Sequence, residues 1–145
     1  MGLTAAGGAE RCRIKVGSSV RSLASFVDPA TSEPRLACAW SKSVCIYDPV
    51  AGGAALVVID VGSQVNALAV FKDPATGEPR LACAAGEQVR IYDPIAGGEA
   101  LLVFDVGSEV NALAIFTEPA TGAPRLVTDE GRVFDPAAAR PSPVP

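Results

Sequence analysis

Residues 61–94 read VGSQVNALAVFKDPATGEPRLACAAGEQVRIYDP, and this stretch decides the fold because most of it occurs elsewhere in the chain. Equivalent copies begin at Val16 and at Val106, which lie 45 residues before and after it. About 30 of 45 positions are identical between the first two copies, and the third copy is three residues shorter between Leu126 and Val133. A fixed period of this length identifies one supersecondary unit that is used several times.

Each copy has the residue pattern of short β-strands separated by turns. In Val65–Phe71, the side chains at 65, 67, 69 and 71 should lie on one face of a strand and those at 66, 68 and 70 on the other. Both sets are largely apolar, which indicates a sheet covered on both faces. Turn residues such as Asp73–Gly77 interrupt the pattern. The strands predicted for the central copy are 65–71, 80–84, 88–92 and 100–104.

A solenoid of helix pairs is the competing architecture, because several helical repeats have a similar length. Proline and glycine turns recur about every 8 to 12 residues, which is too often for the two helices that each such unit needs. The content of Val, Ile, Phe and Tyr also favours strands. We therefore predict an all-β fold in which each copy forms a small antiparallel sheet.

An aromatic residue followed by aspartate and proline ends the third strand of every copy, as Tyr47-Asp48, Tyr92-Asp93 and Phe134-Asp135. With the Val-x-x-Leu-Ala strand and the Leu-Ala strand, these pairs make residues 11–136 resemble blades of the WD-repeat β-propeller family, in which Trp-Asp usually stands there. The resemblance implies three four-stranded antiparallel propeller blades, the last one incomplete. The chain has no histidine, whereas that family often has Gly-His before the first strand. A related propeller family, such as the NHL or quinoprotein-type repeats, fits the same residues.

The repeat divides the chain into a flexible N-terminus at 1–10, blade units at about 16–60, 61–105 and 106–136, and a disordered tail rich in Pro and Ala at 137–145. Residues 11–16 resemble a fourth strand, and the third unit lacks one. Three blades are too few to close a ring, since propellers have about four to eight. One hypothesis is a head-to-tail homodimer of six blades, in which residues 11–16 of each copy complete the third blade of the other. The alternative is an open array or a fragment of a larger propeller.

Composition narrows the classes of function. The net charge is −4 without any run of Lys or Arg, which disfavours nucleic acid as a partner. No apolar stretch reaches the roughly 18 residues of a membrane span, so we expect no membrane contact and a cytoplasmic location. Without histidine there is no Ser-His-Asp or Cys-His arrangement and no histidine-based metal centre. We predict a protein that is not an enzyme and has no cofactor.

The cysteines and the repeated carboxylates each allow a purely structural role or a chemical one, such as a disulfide or a metal site. Cys12, Cys38, Cys45 and Cys83 could make two disulfides or a four-thiolate metal site, but small buried thiols within Leu-Ala-Cys-Ala explain them more simply. The repeated carboxylates could ring a calcium ion. Aspartate before proline more often starts a turn by accepting bonds from its own backbone. The repeated carboxylates are Asp28, Asp73, Glu118, Asp48, Asp93 and Asp135.

Two sets of residues are candidates for partner binding. Trp40 and Lys42 stand in a hairpin tip where the second copy has Ala85-Gly86-Glu87, so Trp40 is either an exposed binding residue or packing over the edge of the blade. The recurring Arg35, Arg80 and Arg125 either pair with carboxylates of neighbouring blades or anchor an acidic partner. We predict a scaffold for a protein or peptide partner. The alternative is a lectin-like small-ligand module with repeated sites between blades.

Overall fold

The computed structural model describes residues 7–16 and 19–137, and within these ranges the chain contains strands and turns without a helix. The strands form three antiparallel sheets, which confirms the predicted all-β fold. Among the described residues there is accordingly no helix long and apolar enough to cross a membrane. The first sheet contains β1 (Ser22–Asp28), β2 (Glu33–Trp40), β3 (Ser43–Tyr47) and β4 (Val57–Asp60); the second contains β5 (Val65–Lys72), β6 (Pro79–Ala85), β7 (Gln88–Tyr92) and β8 (Leu102–Asp105); the third contains β9 (Leu113–Thr117), β10 (Pro124–Thr128) and β11 (Val133–Phe134).

Strand order within each sheet follows the chain, because each strand pairs with the next through a short turn. The β2–β3 and β6–β7 hairpins have two-residue tips, and their first residues, Ser41 and Gly86, adopt φ values of 53° and 64°. These positive values allow a tight reversal that matches strand twist. The third sheet has no fourth strand within the described residues, and β11 pairs with β10 through only Val133 and Phe134. Within residues 7–16 and 19–137 the last blade therefore has three strands, in agreement with the prediction.

The central sheet is covered by apolar residues on both of its faces. On one face Leu68 and Leu81 pack with Ala37 and Ile46 of the first sheet. On the other face Phe71 packs in a cluster that includes residues of the third sheet. The members of that second cluster from the third sheet are Leu113, Ile115, Leu126 and Phe134, and Val110 joins them from the connection before β9. This arrangement confirms the prediction of a sheet with two apolar faces.

Val65 does not share the face that simple alternation predicts. The alternation places Val65 with Ala67, Ala69 and Phe71, but Val65 belongs to the cluster facing the first sheet, while the other three face the third sheet. The reason is a register irregularity between Val65 and Ala67 in the pairing of β5 with β6. A bulge adds one residue to a strand, so the side chains before it change faces.

Residues 11–16 form no strand in the single chain, and the completion of another copy's blade by them remains a prediction. Ile14 and Val16 instead pack on the outer face of the first sheet, beside the buried Cys38 and Tyr47. Ile59 and Val61, 45 residues later, occupy the corresponding place between the first and second sheets. Of the predicted flexible termini, residues 1–6 and 138–145 lie outside the described residues.

All four cysteines are free, so the interpretation as two disulfides is wrong. Cys38, Cys45 and Cys83 are buried, and Cys12 is half-buried. Burial raises the pKa of the Cys83 thiol far above its ordinary range. The three buried thiols lie in apolar clusters and pack as small apolar side chains, as predicted.

Candidate partner-binding surface

The antiparallel sheets present two ends, because consecutive turns alternate between them. We call one the carboxylate end; it contains the turns 28–32, 73–77 and 118–122 and the turns 48–52, 93–97 and 135–137. We call the other the hairpin-tip end; it contains 41–42, 86–87 and 129–132 together with the connections 61–64 and 106–112. Backbone N–H groups of Val61 and Val65 donate to the carbonyls of Lys42 and Ser41, at 2.9 and 3.0 Å, which joins the first connection to its hairpin tip.

Five of the six repeated carboxylates start turns by accepting bonds from their own backbone, as predicted. Asp28 Oδ1 accepts from Ala30 N at 2.9 Å, and Asp73 Oδ1 accepts from Ala75 N at the same distance. The aspartates after the aromatic residue do the same; Asp48, Asp93 and Asp135 accept from Val50, Ile95 and Ala137. These bonds explain the repeated aspartates without any ligand.

The turn that begins at Asp48 also lowers the pKa of this residue. Backbone N–H groups of Ala51 and Val50, and then the guanidinium of Arg35, hold the pKa of the Asp48 carboxyl below its ordinary value. The charged form is the one that accepts these bonds, so it is favoured in the folded chain.

Each repeated arginine lies between two carboxylates of its own sheet. The antiparallel register places the start of the second strand beside the end of the third, so the arginine meets the aspartate that follows the aromatic residue. Pairing with carboxylates of neighbouring blades, one of the two interpretations of these arginines, is therefore not found among the described residues. The contacts are Arg35 with Glu33 and Asp48 at 3.4 and 3.6 Å, Arg80 with Asp73 and Asp93 at 3.8 and 3.9 Å, and Arg125 with Glu118 and Asp135 at 2.9 and 3.8 Å.

The guanidinium groups are less accessible than the carboxylates around them. Side-chain exposure is 12% for Arg35 and 16% for Arg80, against 21% and 30% for their partners Asp48 and Asp93. The six repeated carboxylates outnumber the three arginines at this end. The field around the carboxylate end is therefore negative.

Trp40 and Lys42 lie at the opposite end of the first sheet. Lys42 is exposed at the hairpin tip, whereas Trp40 is half-buried and packs against the outer-face cluster of Cys38, Cys45 and Tyr47. Along β2, Trp40 follows Arg35 by five residues and Lys42 follows it by seven, a distance of roughly 20 Å at about 3.3 Å per residue. The five candidate residues therefore do not form one surface, although each set remains a candidate by itself.

Two equivalent cavities lie between neighbouring sheets at the carboxylate end, and the sequence reasoning missed them. One has a volume of about 210 Å³ and is lined in part by Phe26, Asp28, Arg35 and Leu56. The other has a volume of about 150 Å³ and is lined by the residues 45 positions later: Phe71, Asp73, Arg80 and Leu101. The repeat spacing of the Asp and Arg positions could have indicated equivalent sites. The contact of these residues with the next sheet, however, depends on the tertiary structure.

Two further arginines join sheets, and sequence reasoning also missed them. Arg90 of β7 donates to the carbonyl of Val61, which lies in the connection directly after β4 of the first sheet. Arg132 donates in the same way to the carbonyl of Val106. The equivalent position of the first copy is Cys45, which lies on the outer face of the first sheet.

No protein-family profile matches the chain, and no curated protein matches it in sequence. Solved structures do share its fold. A chain in the crystal structure of BBS1N in complex with ARL6DN aligns with a TM-score of 0.61 at 16% identity, over 75% of this chain and 37% of that one. A chain of the Chaetomium thermophilum Polycomb Repressive Complex 2 aligns with a TM-score of 0.63 at 22% identity, over 88% and 32%. A humanized mutant of that complex gives 0.61 and 22%, over 82% and 28%.

The chain thus spans about a third of the length of these structures. At such low identity the likeness concerns the fold, and these neighbours are propeller-type folds. The three sheets of four, four and three strands agree with that architecture. The chain is an all-β array of propeller-like blades.

Proposed function

We propose that this chain is a non-catalytic scaffold that binds a protein or peptide through the loops at the ends of its sheets. The observation that carries the proposal is the pair of hairpin tips at 40–42 and 85–87. They share the same backbone turn, with Ser41 and Gly86 both at positive φ, but they differ at every residue. A rigid framework with variable loops is how many binding surfaces are built.

The repeated ionisable groups support a non-catalytic role. The aspartates of the carboxylate end are used in turns, and its repeated arginines in ion pairs. The chain has no imidazole for general-base chemistry at neutral pH. The solved structures that share the fold include protein complexes, which is in keeping with a scaffold.

The experiment exchanges the two tips. A phage-displayed peptide library is selected on the unmodified chain, and the selected peptides are then measured against the variant W40A/S41G/K42E. We expect binding to weaken at least tenfold, because an aromatic and a cationic contact are removed together. The control places Trp-Ser-Lys at 85–87, and thermal unfolding checks that both variants fold. Selected peptides that bind the first variant as well as the parent would count against the hairpin-tip surface.

The small-ligand module remains the second candidate, because the two equivalent cavities lie between blades as that hypothesis requires. Each cavity is lined by a single aromatic residue, Phe26 or Phe71. Glycan binding measured on an array, and retained in W40A/S41G/K42E, would favour this candidate over the scaffold.

The outer faces of the first and third sheets support a second part of the proposal, a head-to-tail homodimer. On the third sheet Phe116 and Val133 are 44% and 53% exposed, although the equivalent Phe71 and Ile91 are buried against the next sheet. On the first sheet Leu23 is 60% exposed, although the equivalent Leu68 is buried. Ile14, Val16 and Val20 cover part of the outer face of the first sheet. The parts of the two outer faces that stay exposed repeat the two halves of the interfaces inside the chain. A second copy therefore offers the matching surface, and such contacts are heterologous.

Light scattering on a sizing column tests this arrangement. We expect a discrete dimer for the parent, and a monomer for V133D or L23D, because each places a charge in the apolar contact. V50D is the matched control, since Val50 is 75% exposed in a turn at the carboxylate end. A monomeric parent, or a dimer that survives both face variants, would rule out the head-to-tail contact.

A further inference from the structure

The cavities between sheets are the same site built twice. Asp28 and Asp73 occupy one equivalent position, Arg35 and Arg80 another, and a leucine that precedes the fourth strand a third. The next sheet closes each cavity with a proline from its own aromatic-Asp-Pro turn, Pro94 or Pro136. Equivalent positions in two copies thus converge with a neighbouring sheet to give two sites with the same residue types. The sites differ in one contact, because Asp73 lies 3.8 Å from Arg80, whereas Asp28 has no ion-pair partner among the described residues.

Each cavity wall combines apolar side chains with polar surface of similar extent, and the charged residues among those that line it are one aspartate and one arginine. Phe26, Ile46, Leu56 and Val57 form the apolar part of the first cavity. Their counterparts in the second are Phe71, Ile91, Leu101 and Leu102. Cavities of about 150 and 210 Å³ hold a group at least as large as benzene. A group that fills such a cavity needs an apolar portion about as large as benzene and one charged end.

The charge of the occupant follows from the ion pairs. The guanidinium of Arg35 already contacts Glu33 and Asp48, and that of Arg80 contacts Asp73 and Asp93. Asp28 has no ion-pair partner within the part of the chain that the structure describes. Carboxylates outnumber arginines around both cavities, so a cation is attracted and an anion is repelled.

We propose that each cavity binds a lysine or arginine side chain of a partner segment. The aliphatic stem lies against the apolar wall, and the terminal cation reaches Asp28 in the first cavity or Asp73 in the second. Long basic side chains bind in this manner, with a buried stem and a charged end near water. The partner class is a basic, extended peptide segment, and two basic residues on one segment can occupy both cavities.

This site lies at the carboxylate end, so it does not depend on the hairpin-tip surface. Loss of peptide binding in W40A/S41G/K42E leaves this proposal intact, and failure of the cavities leaves the hairpin-tip surface intact. The two ideas are therefore tested separately.

The experiment is a titration of the ¹⁵N-labelled full chain, followed by amide chemical shifts. The probes are the N-methylamides of Nα-acetyl-lysine, Nα-acetyl-norleucine and Nα-acetyl-glutamate. The amides of Ala30 and Ala75 are the reporters, because each donates to the aspartate of its cavity. Ala120 is the internal control: it occupies the same turn position in the third copy, where no described sheet follows.

We expect saturable shifts at Ala30 and Ala75 with the lysine probe, weaker shifts with norleucine, and none at Ala120. The variant D28N keeps a side-chain oxygen for the turn but removes the charge, and it should weaken the response at Ala30 alone by about two- to fivefold. D73N should do the same at Ala75. A peptide with two lysines should bind more tightly than one with a single lysine, because the second contact becomes intramolecular.

Three results would overturn the proposal. Equal shifts at Ala120 would mean that cations simply collect near acidic turns. A response to glutamate in place of lysine would mean that the arginines recognise anions. The third is an unchanged lysine response in D28N and D73N variants that retain the parent's unfolding temperature.

Discussion

Replacing Leu81 with alanine should destabilise the fold far more than the same change at Leu36, although the two leucines have the same neighbours in sequence. Both lie in Pro-Arg-Leu-Ala-Cys-Ala, and they pair across strands with Tyr92 and Tyr47. Leu81 is fully buried between the first and second sheets. Leu36 is half-buried on the outer face of the first sheet.

The magnitudes follow from what surrounds each side chain. Removing a fully buried leucine side chain beyond Cβ costs the transfer free energy and leaves a cavity, so Leu81→Ala should lower the free energy of unfolding by about 2–5 kcal/mol. At Leu36 solvent can fill the space, and part of the side chain is already in water. Leu36→Ala should therefore cost about 1 kcal/mol.

Both free energies of unfolding are measured with urea, at a protein concentration at which light scattering shows a monomer. The dependence of this free energy on urea concentration should be equal in the variants, which confirms that unfolding exposes the same surface. Leu126→Ala is a second buried reference, because Leu126 is fully buried against the second sheet. Equal losses for Leu36→Ala and Leu81→Ala in the monomer would show that the outer face is covered in the single chain, and the reasoning about open faces would then be wrong.

Three smaller predictions test local contacts. Gly97→Ala should lower the unfolding temperature more than Gly98→Ala, because both residues have positive φ but only the Gly97 Cβ would approach Val57 Cγ1, at 2.9 Å. Thr128→Val should raise the free energy of unfolding by about 1 kcal/mol, since the buried Thr128 hydroxyl has no hydrogen-bond partner among the described residues; an unchanged urea midpoint would contradict this. The lowered pKa of the Asp48 carboxyl contributes stability above its unfolded pKa of about 3.9, and that stability is lost as the pH falls through the lower folded value. Asp48→Asn should therefore show a smaller loss of stability on acidification than the parent, measured by urea unfolding between pH 6 and the acid limit, at roughly pH 2.

Much of the fold could be predicted because its signals are local. Turn residues such as Asp73 accept bonds from a backbone group two residues away, so the residue type determines the turn wherever it occurs. The hairpin around Gly86 depends on a positive φ that glycine adopts without strain. Such contacts need no knowledge of the rest of the chain, and the repeat shows each of them more than once.

The candidate site was predicted less well because its geometry depends on residues far apart in sequence. The arginines pair within their own sheet because of strand register, which the pattern of residues does not contain. The change of face at Val65 likewise depends on how β5 pairs with β6.

The 45-residue repeat, the strands and the turn aspartates could all be found from residue order alone, because periodicity and turn chemistry act over a few residues. Which apolar faces are covered, and which parts of them stay exposed, became known only from the packing of the sheets. The same packing also decided that Leu56 and Pro94 border one cavity. The physical reason is that packing between sheets joins residues tens of positions apart, and identical local sequences such as those around Leu36 and Leu81 then meet different surroundings.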